Sequence, residues 1–389
     1  MKFIEDMHLK NKTVLLRCDF NVPIVDGVIT DDNKIVKSLK TIKYLLDKNC
    51  KLIILSHMGR VKNEEDKKKY TLKPVKYKFE EYLNKEVTFV IDANEIDFSN
   101  SDIVLLENTR NYDIPNKLES SNDLELAKIW AKQGDIFIFD AFGSAHRSHA
   151  STAGIAHYLP TGFGYLVEEE MQNLNKIQNN PKKPFVVIMG GAKVDDKIPL
   201  IKTLLYSCDY LLLGGGISNS FIKAKGINIG KSLATLDDNI IAELKYLLEL
   251  YSNKIILPID VRVKNNDEIS TKSINSLTEN DIIYDIGGKT VNKFAGYLKD
   301  AETVFMNGTL GLFEDEQYQT GTLKTFELLS SVPTVVIGGG DTVAAVNQLG
   351  FENKFILSSG GGASLEFIAK GKLEALEEIE RVENEKISM

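Results

Sequence analysis

Arginine is scarce in this chain. Its 389 residues include six arginines, Arg17, Arg60, Arg110, Arg147, Arg262 and Arg381, against 41 lysines. With a net charge of −8, that scarcity excludes a general nucleic-acid surface, and an anionic ligand must be met by a local basic cluster. Cysteine is scarcer still. Cys18, Cys50 and Cys208 are too few and too far apart for a disulfide framework or a zinc site, so reduced thiols in a cytoplasmic protein are expected. Apolar runs are no longer than a strand, so neither a membrane-spanning helix nor a membrane partner is expected. The chain turns acidic at Glu5-Asp6 and lacks the apolar core of a secretion signal at its start. No Gly-x-Gly-x-x-Gly follows a predicted strand, which argues against a dinucleotide-dependent dehydrogenase. Gly226 to Ser232 approaches a P-loop, but has three residues between its glycines instead of four and follows a helical pattern. We set it aside.

Where lysine is so common, each arginine is informative. A guanidinium is a planar fork that grips carboxylate or phosphate with two parallel hydrogen bonds. Four of the six lie in the first 150 residues, each adjoining a predicted strand. Strands are expected at 13–16, 51–55, 87–91, 103–106 and 136–139, with helices at 33–48, 72–83 and 124–133. Residues 61–69 read as a charged, mobile loop, Val25 to Val28 as a hairpin turn, and Asp31-Asp32 as the cap of the first helix. Such alternation is the signature of a doubly wound parallel sheet, whose ligands gather at the carboxyl ends of the strands. Asp19, Asn21, His57, Arg60, Arg110 and Arg147 all fall there, and converge as a small-polyanion site. Lys34 lies in the first turn of its helix, where a cation gains nothing from the helix dipole, so a task is suspected. His146 and His149 lack partners at metal-ligand spacing and read as hydrogen-bonding groups beside Arg147.

A helix over 165–178 is broken by Asn179 to Pro184, the best domain boundary in the chain. The expected division is a first domain at 1–167, a connecting helix and hinge at 168–184, a second domain at 185–370 and a tail at 371–389. Strands resume at 185–189, 210–213, 254–257, 303–306, 334–337 and 354–357. Most end in glycine: Gly190-Gly191, Gly214 to Gly216, Gly308, Gly338 to Gly340, Gly360 to Gly362. Turns without side chains leave room for a base and for phosphates against backbone amides. Asp341 is the carboxylate placed to reach a magnesium ion there, and Glu314 could accept from ribose hydroxyls. A helix starting near Lys193 would set Lys193 and Lys197 on one face. The expected fold is thus α/β, two doubly wound parallel-sheet domains joined by a hinge helix.

Taken together, the strand-end strings resemble phosphoglycerate kinases over almost the whole chain. They are Arg17-Cys-Asp-Phe-Asn-Val-Pro23, Ser56-His-Met-Gly-Arg60, Asp140-Ala-Phe-Gly-Ser-Ala-His-Arg147, Gly190-Gly-Ala-Lys-Val-Asp-Asp-Lys197, Asn307-Gly-Thr-Leu-Gly-Leu-Phe-Glu314, Gly338-Gly-Gly-Asp-Thr342 and Gly360-Gly-Gly-Ala-Ser-Leu-Glu366. The resemblance implies reversible phosphoryl transfer between 1,3-bisphosphoglycerate and ADP, giving 3-phosphoglycerate and ATP, with Mg2+ as cofactor, in a hinge-bending monomer. It implies that Asp19 and Asn21 meet the glycerate, and that His57, Arg60, Arg110 and Arg147 meet the triose phosphate. Lys197 would contact the moving phosphoryl group, with Lys193 in support. Gly214, Gly215, Asn307, Glu314, Gly339, Gly340 and Thr342 would surround the nucleotide, and Asp341 would hold the metal. The tail would return to the first domain. Several positions depart from the family pattern. Lys34 stands where the family has a catalytic arginine, Val61, Thr309 and Gly288 replace prolines, and Ser359 replaces a threonine. Lysine keeps the charge and loses the fork, so a slower enzyme is expected. The rival reading is a nucleotide-binding scaffold that has lost the chemistry.

Overall fold

The computed structural model describes residues 1–388 as two compact α/β units. One is Met1–Gln172 together with the chain from Lys372 onward; the other is Asn173–Gly371. The division falls inside the helix Tyr165–Gln178, upstream of the proline-flanked break that marks it in the sequence. Among the described residues no helix is long and apolar enough to cross a membrane.

The first unit is built on a six-stranded, all-parallel sheet. Its order is Thr88–Val90, Ile103–Leu106, Lys51–Leu55, Thr13–Cys18, Ile136–Asp140, Thr161–Phe163. Its central strands are mainly apolar runs, not alternating ones, because side chains on both faces are buried. The helix Asn33–Asp47 buries Ile35, Leu39, Ile42 and Leu45 at helical spacing. Its capping differs from the expected one. The Asp31 carboxylate accepts from Asn33 N–H at 3.0 Å, while Asp32 accepts from the Tyr82 hydroxyl at 2.5 Å. The expected loop at 61–69 is also corrected, since Glu64–Lys69 is a short helix. Asn63 accepts from Asp66 N–H at 2.9 Å, and three acidic residues precede three lysines, matching the helix dipole.

The second unit repeats the plan. Its parallel sheet runs Ile255–Ile256, Tyr210–Leu213, Phe185–Met189, Thr303–Asn307, Thr334–Gly338, Ile356–Leu357. Beside it lies an antiparallel sheet that the sequence reading passed over: Glu268–Ser273, Asp260–Asn265 and Ile282–Ile286. Its signal was a period of two, with Val261 and Val263 buried between polar neighbours. No unbroken apolar run marks the strand Asp260–Asn265.

The tail forms the helix Glu374–Ser388 in the first unit. It buries Leu376, Ile379 and Val382. Its acidic residues find partners there: Glu378 meets His157 at 3.0 Å and Glu380 meets the amino terminus at 2.7 Å.

Candidate functional site

In each sheet the strands end level. Arg17 pairs with Leu55 and Phe139, and Cys18 with Asp140. The residues that follow, Asp19, Ser56 and Ala141, therefore leave the sheet along one edge. Asn307 likewise pairs with Met189 and Gly338, and Met189 with Leu213, so the glycine turns of the second unit share an edge.

On the edge of the first unit, Asp19 is nearly buried. It accepts from Asn21 N–H at 3.1 Å and from Lys34 Nζ at 3.0 Å. Burial pushes its carboxyl up, but the Lys34 ammonium, His57 and the Asn21 amide together hold it well below the usual carboxylate range. Asn21 Oδ1 accepts from Gly59 N–H at 2.9 Å and so ties two strand-end loops. Burial, with the nearby cations Arg17, Arg110 and Lys34, drives His57 well below its ordinary value; Asp19 opposes it. Arg110 Nη1 donates to the Gly59 carbonyl at 2.9 Å, and its buried Nε has no partner. Burial lowers Arg110, with Arg147 and Arg60 adding to that and Asp113 and Glu119 opposing it. Arg60 and Arg147 themselves are exposed. His149 is buried beside Arg17, Arg110 and Arg147 and is lowered to about 3, burial being the main cause. Both shifts favour the neutral imidazole at His57 and His149.

Arg17 was assigned no role from the sequence, and the structure puts it at the base of this rim. It is fully buried. Its Nε donates to Ser151 Oγ at 2.9 Å, its Nη2 lies 3.2 Å from His57 Nδ1, and it also bonds the Cys18 carbonyl. Ser151 in turn donates to the buried Glu119. The only signal in the sequence was an arginine inside an apolar strand, where burial demands a partner far along the chain.

On the edge of the second unit, the expected helix at Lys193 is corrected. Lys193 lies in an exposed loop, a 3-10 turn covers Asp195–Lys197, and the helix begins at Ile198. Lys193 and Lys197 therefore do not share a helical face. Lys197 is half-buried and its Nζ reaches the Gly190 carbonyl at 3.4 Å. Burial lowers it, against the pull of Asp196 and Asp341, which places Asp341 within electrostatic reach. Asp341 is exposed in the first turn of the helix Gly340–Gln348. Thr342 is buried, and its hydroxyl accepts from Gly308 N–H at 2.7 Å. Asn307 is buried and Glu314 exposed.

The glycines there do two different jobs. A Cβ on Gly190 would overlap the Thr309 carbonyl, one on Gly308 the Gly190 carbonyl, and one on Gly216 the Ala192 carbonyl. One on Gly214 would overlap Leu310, and one on Gly215 would come within 2.9 Å of Gly191 N. These glycines let the turns pack on one another. Gly339, at φ +98°, sits beside Asn307 and Thr342. Gly340, Gly361 and Gly362 leave open space beside the backbone, where a side chain would be.

A model of the phosphoglycerate kinase family matches residues 4–372. The chain is 45% identical over 381 residues to a phosphoglycerate kinase of Staphylococcus haemolyticus, covering 94% of this chain and 96% of that protein. It is 45% identical over 395 residues to one from Fusobacterium nucleatum, covering 97% and 99%. Among solved structures, phosphoglycerate kinase from Coxiella burnetii superposes with a TM-score of 0.82 at 35% identity, covering 97% of this chain and 98% of that one. The enzyme from Pyrococcus horikoshii OT3 superposes at 0.86 with 29% identity, covering 99% and 100%.

Proposed function

This chain belongs to the phosphoglycerate kinase family, and from that membership we propose how its own residues divide the work. The reaction is reversible phosphoryl transfer between 1,3-bisphosphoglycerate and ADP, a glycolytic step; the enzyme is a phosphotransferase with a carboxyl acceptor. Both reactants are polyanions that repel each other. A unit charge pair at ~4 Å is worth ~1 kcal/mol in water and ~4 kcal/mol at an effective dielectric near 20, so a half-buried cation counts for more than an exposed one.

The rim of the first unit takes 3-phosphoglycerate. Arg60, Arg110 and Arg147 neutralise its phosphate, His57 donates a hydrogen bond as a neutral imidazole, and Asp19 and Asn21 orient the glycerate. The observation that carries this reading is Arg110, whose buried Nε is unpartnered and which feels the charges of Arg147 and Arg60. Among this chain's arrangements, that one most needs an anion.

The turns of the second unit take the nucleotide. Lys197 faces the transferring phosphoryl group, supported by Lys193. Asn307, Glu314, Gly214, Gly215 and the Gly339-Gly340 turn line the ribose and phosphates, and Thr342 steadies the Gly308 turn. Asp341 would hold Mg2+. Among the described residues no group of three or more metal-ligating side chains could hold an ion alone. That suits magnesium, which is bound through one or two carboxylates plus substrate phosphates. When bound, the ion would neutralise phosphate charge.

Lys34 supplies the charge that the family provides by arginine. Transfer further requires the two units to bring their substrates together. Compaction in solution scattering with both substrates present would support that closure, and an unchanged profile would sink it. The buried free cysteines support a reducing, cytoplasmic setting, and we take the enzyme to be a monomer. A coupled assay for ADP formation from ATP and 3-phosphoglycerate tests the reading; its absence would favour the nucleotide-binding scaffold.

A further inference from the structure

In the second unit a cavity of about 570 Å³ opens where three helices meet the edge strand Ile255–Ile256. That volume is in the range of small-molecule sites. Its lining combines Leu248, Leu257 and Tyr297 with Lys225, Lys245 and Lys293 and a single carboxylate, Glu249. Lys225 caps the helix Gly215–Ala224, whose first residues touch the Gly191 turn. Ten residues of helix span about 15 Å, so the cavity stands well away from the glycine turns.

Local structure explains the three lysines only in part. Among the described residues none of the three forms an ion pair, although the neighbouring Lys202 pairs with Glu243. Lys225, at the carboxyl end of Gly215–Ala224, gains from that helix's dipole, whereas Lys245 lies before the last turn of Asp238–Leu250 and does not. Lys293 does not either, since it lies in the middle of Gly288–Leu298. It is half-buried, its Nζ donates to the Leu257 carbonyl at 3.0 Å, and burial together with Lys225 lowers it. Two like charges, Lys225 and Lys293, thus share a cavity whose lining carries one carboxylate, Glu249.

We propose that this cavity binds a small phosphate-bearing anion, its phosphate among the three ammoniums and its body against Leu248 and Tyr297. Lysine suits phosphate as a point charge. The shared chemistry is the phosphate group, and it could arrive as a free polyphosphate or as part of a nucleotide.

The test is a titration of the full chain, labelled with ¹⁵N-leucine, first with sodium pyrophosphate and separately with ADP. The Leu248 and Leu257 amide signals should move and saturate. In Lys225→Glu/Lys245→Glu, which changes two exposed side chains, half-saturation should rise roughly tenfold or more, with kcat unchanged. Saturation by ADP at lower concentration than pyrophosphate would identify a nucleotide, and equal concentrations the phosphate group alone. Signals unmoved by both ligands to about 10 mM, or a double variant titrating like the parent chain, would overturn the proposal.

Discussion

Lys34 Nζ lies 3.0 Å from Asp19 Oδ2, with the carboxylate 8% exposed and the lysine 33%. One side chain thus serves two ends. It neutralises a buried carboxylate and brings a cation to the substrate rim from the first turn of its helix. Lys34→Ala should lower kcat more than tenfold, about 1.4 kcal/mol in barrier, while Lys34→Arg keeps or raises it. Steady-state kinetics decide this, and an alanine variant with unchanged kcat removes Lys34 from the mechanism.

The same pair sets an acid response. Because the folded-state value of Asp19 is depressed, its stabilising contribution is present above the unfolded value near 3.9 and is lost as pH falls. Lys34→Ala should therefore reduce stability more at pH 7 than near pH 3. Urea unfolding at the two pH values measures the difference, and an equal loss at both would detach Lys34 from Asp19.

Asp140 has the opposite sign. Burial pushes its carboxyl up to about 6, although Thr41 and the Val167 and Leu166 amides favour the charged form. The unfolded chain releases this proton near pH 4 while the folded chain keeps it, so stability drains as pH rises from about 4 to about 6. Asp140→Asn should lose that trend and gain on the parent chain across the window. A stability difference that stays flat with pH would show Asp140 already ionised.

Arg60→Ala and Arg147→Ala should each weaken 3-phosphoglycerate binding by about 1.5–3 kcal/mol, the worth of a hydrogen bond to a charged group, and leave ATP binding intact. Titration calorimetry with each ligand checks both halves. The reverse pattern would exchange the assignments of the two units.

Two glycines separate packing from ligand space. Gly190→Ala should destabilise by about 1–3 kcal/mol, an ordinary overpacking loss, because its Cβ meets the Thr309 carbonyl. Gly340→Ala meets nothing, so it should leave the melting temperature unchanged and weaken ATP binding. Melting curves and ATP titration of both variants give the comparison, and a stable Gly190→Ala would contradict turn-on-turn packing.

The sequence by itself determined the two parallel sheets and the residues at their carboxyl ends. Runs such as Phe185–Met189 can only be strands buried on both faces, and polar or glycine residues must follow where such a strand meets water. What depends on chain-distant neighbours was not legible. Two of the partners of Arg17, Ser151 directly and Glu119 by way of the serine, lie more than a hundred residues away, and nothing local announces them. The helix expected at Lys193 gave way to a loop and a 3-10 turn, and the close packing of Gly190, Gly215, Gly216 and Gly308 against other turns was not foreseen. Periodicity is a property of one segment; close approach belongs to two, and only the folded chain decides which two meet.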